Sequence, residues 1–394
     1  MTALLPAPPD ARPAAGPAPV RLIWGLLRDL EHPSQLFGNL GPNWYASIMG
    51  TGIVANAAAT LPVHVAGLRP AATVVWALAV LLLIALTAAW AVHWTRHPVT
   101  ARGHAENPVL AHYWGAPAMA LLTVGAGTLI LGRDWIGLTA ALAVAVVLWV
   151  GGTLLGLITS VWIQYRMITS HRIAPDAAFG GWLMPVVPPM VSAATGALLV
   201  PYATAGQIRL TLLLACYAMF GISLFATVII VGQIWQRLVH HGIGPAAMVP
   251  TLWIVLGPLG QSVTAANLLG NAAPLVLPAP YGSAAQAFAL FYGLPTWGFA
   301  MMWLAVAAAV TVRTARIHLP FSLTWWSFTF PFGTVVTGTS GLALRTDSVF
   351  FRWAAVAGYV LLVVAWLTVA ARTARESARG RIFLPAQPSP APNS

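Results

Sequence analysis

Four apolar stretches of this 394-residue chain share one spacing: a proline followed six residues later by a threonine. The pairs are Pro117 and Thr123, Pro189 and Thr195, Pro258 and Thr264, and Pro331 and Thr337. They stand in GAPAMALLTVGAG, MPVVPPMVSAATGALL, GPLGQSVTAANLLG and FPFGTVVTGTSGLA. A fifth stretch, NWYASIMGTGIVANAA, lacks the proline but carries Gly50, Thr51 and Gly52 at its middle. A proline removes a backbone hydrogen bond and bends a helix, so the four prolines are candidate kinks. In lipid a freed carbonyl must be satisfied by protein or by water in a cavity. Nearby hydroxyls can do this and also present oxygens to a permeating species. The candidate lining set is Thr51, Thr123, Thr195, Gln261, Ser262, Thr264, Thr334 and Thr337. A structural reading competes: each hydroxyl can instead bond back to the preceding turn, and Gly, Ser and Thr also serve tight helix packing.

Composition fixes the setting of these segments. Apolar residues make up 59% of the chain and charged ones 7%, against roughly 25% charged in soluble domains. Repeated apolar runs of about 20 residues mark transmembrane helices. Ten such runs can be traced, near 43–62, 70–94, 111–131, 138–165, 181–202, 209–236, 247–270, 284–312, 320–342 and 349–371. The odd-numbered runs carry the Gly, Pro, Ser and Thr; even-numbered ones such as 70–94 are rich in Ala, Leu, Val and Trp, without internal proline. This alternation predicts an all-α integral membrane fold, ten transmembrane helices as five repeated hairpins with the odd helices inside.

The net charge of +11 rests on 19 arginines, with no lysine. They sit singly between apolar runs, which suits membrane orientation rather than nucleic-acid binding. With ten spans, 14 arginines fall on the side of both termini, and Arg69, Arg133, Arg209, Arg345 and Arg352 on the other. The positive-inside rule then puts both termini in the cytoplasm and the protein in the inner (plasma) membrane. The expected domains are 1–40, a disordered tail plus an interfacial segment from Leu22 to Leu40; 41–372, the ten-helix domain; and 373–394, a disordered cytoplasmic tail. The single cysteine, Cys216, excludes an intrachain disulfide.

No Asp, Glu or Arg lies well inside an odd span, which argues against an obligate carboxylate proton relay. A neutral lumen still favours anions through hydroxyl and amide donors, aided by arginines at its mouths. A membrane metalloenzyme is the rival of another class. His93 and His97 are four apart, a spacing that suits one metal on a helix face. Yet His240 and His241 lack an upstream histidine partner, and no carboxylate clusters with them. No metal, no cofactor and no catalytic residue is expected.

NWYASIMGTGIVANAA, WLMPVVPPMVSAATGALL, LGPLGQS and FTFPFGT, in that order, resemble the tellurite-resistance/dicarboxylate transporter family. That family holds yeast malate permeases, fungal sulfite efflux pumps and plant guard-cell slow anion channels. The resemblance covers roughly residues 40–372. It implies a quasi-fivefold ring of hairpins around a central pore, a homotrimer with one pore per subunit, and small anions and the bilayer as partners. It also implies a phenylalanine gate beside the proline of the ninth helix, here Phe330, with Phe328 and Phe332 close by. A C4-dicarboxylate such as malate is the leading expected substrate, with a sulfite- or tellurite-linked oxyanion as the alternative.

Overall fold

The computed structural model describes residues 26–30, 32 and 34–384. Of the expected segments 1–40 and 373–394, residues 1–25, 31, 33 and 385–394 lie outside the described residues. Helices occupy all ten apolar stretches, and no strand occurs among the described residues. They are α1 (Tyr45–Ala59), α2 (Leu68–Arg96), α3 (Gly115–Gly127), α4 (Leu138–Thr169), α5 (Pro188–Leu199), α6 (Gln207–His241), α7 (Leu256–Ala272), α8 (Tyr281–Ile317), α9 (Phe330–Thr346) and α10 (Val349–Arg379). Seven segments are long and apolar enough to cross a membrane; α3 and α7 qualify only with their flanking turns, and α1, α5 and α9 fall short. At 1.5 Å per residue, the 15 residues of α1 and 12 of α5 span well under a hydrocarbon core of about 30 Å.

The two sets differ in what they touch. In the segments around α3 and α7, 89% and 72% of the apolar window is buried in the protein; in the five even-numbered helices the share is 17–39%. Their outward faces carry Leu81, Val147, Phe225, Phe291 and Val364, all exposed, a belt that suits lipid. Among the short helices, α1 packs on α3, α3 on α5, α5 on α7, α7 on α9, and α9 on α1.

Long and short helices are also stitched by indoles. Trp76 of α2 donates to Thr128 Oγ1 just past α3 (3.3 Å), and Trp149 of α4 to the Ser192 carbonyl of α5 (2.9 Å). Trp297 of α8 donates to Thr339 Oγ1 of α9 (2.9 Å), and Trp366 of α10 to Thr51 Oγ1 of α1 (3.1 Å). The turns into α4 and α6 run through Gly137 and Gly206 at φ +78° and +92°, where a Cβ would be strained.

The prolines do not bend continuous α-helices. Pro117, Pro189, Pro258 and Pro331 each lie in the first turn of an α-helix, after 3₁₀ segments at Leu110–Trp114, Gly180–Leu183, Ala246–Val255 and Leu323–Phe328. A first-turn N–H has no intrahelical acceptor, so its loss there costs little. What the sequence suggests as a kink is a change of helix type. An interior proline does occur in an even-numbered helix, Pro295 of α8, against expectation. The last helix continues through 373–379, expected as disordered tail, and ends at Gly380, with Phe383 stacked on Trp44 at 5.1 Å. Among the described residues of the segment expected at the interface, the one helical turn is Gln35–Gly38. Before it, Leu27 and Asp29 donate their N–H groups to Ala378 and Arg379 carbonyls.

After α2 a short helix, Pro98–Glu106, buries His104 against His93, with ring centroids 5.2 Å apart. Burial first, and then the neighbouring His93, lower the His104 pKa to about 4 from 6.5. Between these values the unfolded chain takes up a proton that the folded chain refuses, so stability falls as pH drops through this window. Going from pH 7 to pH 5 should therefore cost about 1–2 kcal/mol through this side chain. His104→Gln should shrink the acid-induced drop in melting temperature of the detergent-solubilised protein; an unchanged drop would count against it.

Candidate functional site

A cavity of about 400 Å³ opens among the C-terminal halves of the short helices. Its wall is drawn from all five: Ile53, Asn56 and Thr60 of α1; Ala126 of α3 with Ile130 just beyond; Ala194, Thr195 and Leu198 of α5; Gln261, Thr264, Asn267, Leu268 and Asn271 of α7; and Thr337, Ser340, Gly341, Leu344 and Arg345 of α9. Gln286 of α8 completes it. The register repeats. Thr195, Thr264 and Thr337 come six residues after their proline; Ala126, Leu198, Asn267 and Ser340 come nine after; Ile130, Asn271 and Leu344 come thirteen after. Offsets of three, then four, keep one helix face turned to one side.

The hydroxyls of this wall are mostly committed. Thr195 donates to the Val191 carbonyl (2.9 Å), Ser340 to Val336 (3.0 Å) and Thr60 to Asn56 (2.9 Å). Thr264 and Thr337 meet across the α7–α9 seam at 2.8 Å, and Thr337 donates on to the Thr334 carbonyl (3.0 Å). Hydroxyls bonded in this way offer lone pairs to the lumen rather than protons. Uncommitted capacity lies in the amides. The Gln261 side chain, 5% exposed, makes no hydrogen bond among the described residues. Asn56 donates to the Thr123 carbonyl (3.1 Å), while its own Oδ1 is buried without a donor.

One cation stands at the mouth. Arg345 donates from Nε to Asn267 Oδ1 (2.6 Å), and from Nη2 to the Asn267 carbonyl (3.0 Å) and Asn271 Oδ1 (2.7 Å). All three acceptors are neutral. None of the four ion pairs among the described residues involves Arg345, and no carboxylate lines the cavity.

The other expected residues are elsewhere. Thr51 bonds back to Ser47 (2.7 Å) and takes the Trp366 indole. Thr123 bonds back to Met119 (2.7 Å). Thr334 is fully buried, within bonding distance of the Pro331 carbonyl (2.7 Å) and, across the seam, of Gly257 (3.0 Å). Ser262 lines a separate groove with Pro258, Tyr292 and Phe299. Phe330, 2% exposed, is not part of the cavity wall. One turn above it α1 and α9 meet closely: a Cβ on Gly333 would stand 2.6 Å from Ile53 Cγ1. Phe328 and Phe332 both pack on Trp253, at 5.2 and 6.1 Å; no ring partner is found for Phe330 among the described residues. His93 and His97 stack at 6.0 Å, and no group of three or more His, Cys, Asp or Glu is placed to hold a metal among the described residues.

Asn56, Asn267, Asn271, Ser340 and Arg345 escape a reading of the sequence alone. The asparagines are signalled by their polarity within apolar spans, and by VANAA and AANLLGNAA repeating the motif. Arg345 counts as a loop residue in the ten-run division, whereas α9 extends to Thr346.

Buried short helices, a lipid-facing outer set and a cavity whose apolar wall carries polar side chains but no carboxylate define a multi-pass membrane protein of the transport class. The model of the SLAC1 family, voltage-dependent anion channels, matches residues 39–374; the chain belongs to that family. It is 26% identical over 347 residues to an uncharacterized transporter of Methanocaldococcus jannaschii, covering 88% of this chain and 97% of that protein. A second uncharacterized transporter of that organism is 26% identical over 362 residues, 91% and 99% of the two chains. A sulfite efflux pump of Trichophyton rubrum is 26% identical over 365 residues, 88% and 92%.

Because Thr334 reaches α7 carbonyls beside Pro258, Thr334→Val, which deletes the hydroxyl at nearly constant volume, should lower stability by about 1–2 kcal/mol. A thermal unfolding curve indistinguishable from wild type would remove that tie from the account.

Proposed function

We propose that this protein conducts anions passively across the membrane, along the axis of ten helices set as five hairpins in a quasi-fivefold ring. The observation that carries this reading is the cavity to which all five short helices contribute, walled by apolar and neutral polar groups and one guanidinium, with no carboxylate. Anions gain there from amide donors and a positive potential, without a charged trap to hold them. In the orientation set by the arginines, the short helices run outward, the cavity faces the non-cytoplasmic side, and both termini are cytoplasmic. Phe330 is the closure. It lies below the floor of the cavity, beneath the tight Gly333–Ile53 contact, and a buried ring there plugs the path by excluding water. A homotrimer in the inner membrane is the assembly this reading carries. The relatives named as sulfite efflux pumps support a small oxyanion as cargo; a C4-dicarboxylate is the other candidate.

Purified protein in bilayers tests the closure, wild type beside Phe330→Ala, with chloride, nitrate, sulfite and malate compared. Removing the ring should raise anion current about tenfold or more, a barrier drop of roughly 1.4 kcal/mol. No current from either protein, with gradient-driven malate or sulfite flux intact, would replace the passive path by a coupled carrier.

A further inference from the structure

The cavity has an asymmetry that the conduction reading leaves open. Its hydroxyls spend their protons on backbone carbonyls or on each other, and so recognise anions poorly as they stand. What remains for a negative charge is a small set of donors: the Gln261, Asn271 and Gln286 amides and, at the mouth, Arg345. The guanidinium uses Nε and Nη2 on Asn267 and Asn271 and makes no hydrogen bond from Nη1 among the described residues. The two asparagines fix its plane without cancelling its charge, since neither carries one. Such a pre-oriented guanidinium keeps the two N–H groups of Nη1 and its full charge for an oxyanion.

We propose that Arg345, held by Asn267 and Asn271, is an anion-capture subsite at the cavity mouth. It takes a single-centred oxyanion, of the class of sulfite or nitrate, in preference to a C4-dicarboxylate, and this rests on the anion-conduction reading above. The charge count carries the class. The cavity offers one cation, so one anionic centre is matched. A dicarboxylate would leave its second carboxylate among neutral side chains, where an unpaired charge is costly to desolvate. The opposing account is mechanical: Arg345 merely clamps the end of α9 to α7.

Proteoliposome flux against anion concentration separates the two, using wild type, Arg345→Gln, Arg345→Lys and Asn271→Ala. Capture predicts that Arg345→Gln raises half-saturating sulfite and nitrate by about tenfold or more, with little change in maximal flux. Arg345→Lys keeps the charge and falls between. Asn271→Ala, which loosens the guanidinium's plane and keeps its charge, raises half-saturation by less than Arg345→Gln does. A clamp predicts instead that Arg345→Gln and Asn271→Ala suffer alike, with matching drops in melting temperature, and that result overturns the proposal. Unchanged half-saturation in Arg345→Gln, with flux intact, overturns capture and leaves conduction standing. Malate saturating as tightly as sulfite overturns the class. Should neither wild type nor Phe330→Ala carry flux, the conduction reading fails. Titration of sulfite into the detergent-solubilised protein then decides: binding lost in Arg345→Gln supports the subsite, and no binding or equal binding overturns it.

Discussion

Lipid offers no hydrogen-bond partner, so every polar group placed at membrane depth must be answered by protein or by a cavity. The tryptophans of the long helices give that answer here. Trp76, Trp149, Trp297 and Trp366 each pass an indole N–H inward to a threonine or carbonyl of a short helix, or of the turn that ends it. Three of these long helices, α2, α4 and α8, reach the short helix that follows, and Trp366 of the last reaches Thr51 of the first. Indoles suit this role because they bury a large apolar body and carry one donor. The long helices can therefore face lipid on one side and hold polar helices on the other.

Groups so answered are removed from the lumen. Thr51 has the polarity and central position of a pore residue, yet its hydroxyl is occupied twice over. The Thr334 proton is likewise consumed between the Pro331 carbonyl of its own turn and the Gly257 carbonyl of α7. What the protein leaves unanswered inside is more telling than what it satisfies. Gln261 makes no hydrogen bond where it lines the cavity, and Asn56 Oδ1 is buried without a donor; a buried polar group without a partner carries a desolvation cost.

The helical class and the contrast between short and long helices are legible in the sequence, because periodic small and hydroxyl residues differ in kind from Ala, Leu, Val and Trp runs. The proline-to-threonine spacing locates the cavity face in α5, α7 and α9, where Thr195, Thr264 and Thr337 line it. It fails in α3, whose Thr123 turns to back-bonding while Ala126 and Ile130 line the wall. Spacing gives a face, but not the rotation of that face about the helix axis, which neighbouring helices set by packing. The prolines look like kinks because local sequence cannot tell a bend from a change of helix type. Arg345 is lost to a helix end drawn too early, the least reliable part of any such reading.

The seams around α9 constrain how a closure at Phe330 could work. Thr334 and Thr337 tie α9 to α7 midway, and Arg345 ties its end. Between them a Cβ on Gly260 would run into backbone atoms of Thr334 and Val335, so the two helices touch backbone to backbone. Sliding α9 along α7 would break these bonds together and expose polar groups to a dry interior. Its other seam, to α1, is different: Gly333 lies against the aliphatic Ile53, a contact with no hydrogen bond to lose. Under the closure proposed above, the cheapest motion to free Phe330 would be a turn of its own ring, or α7 and α9 moving together against α1. In either case the guanidinium at the mouth would keep its place relative to the α7 amides.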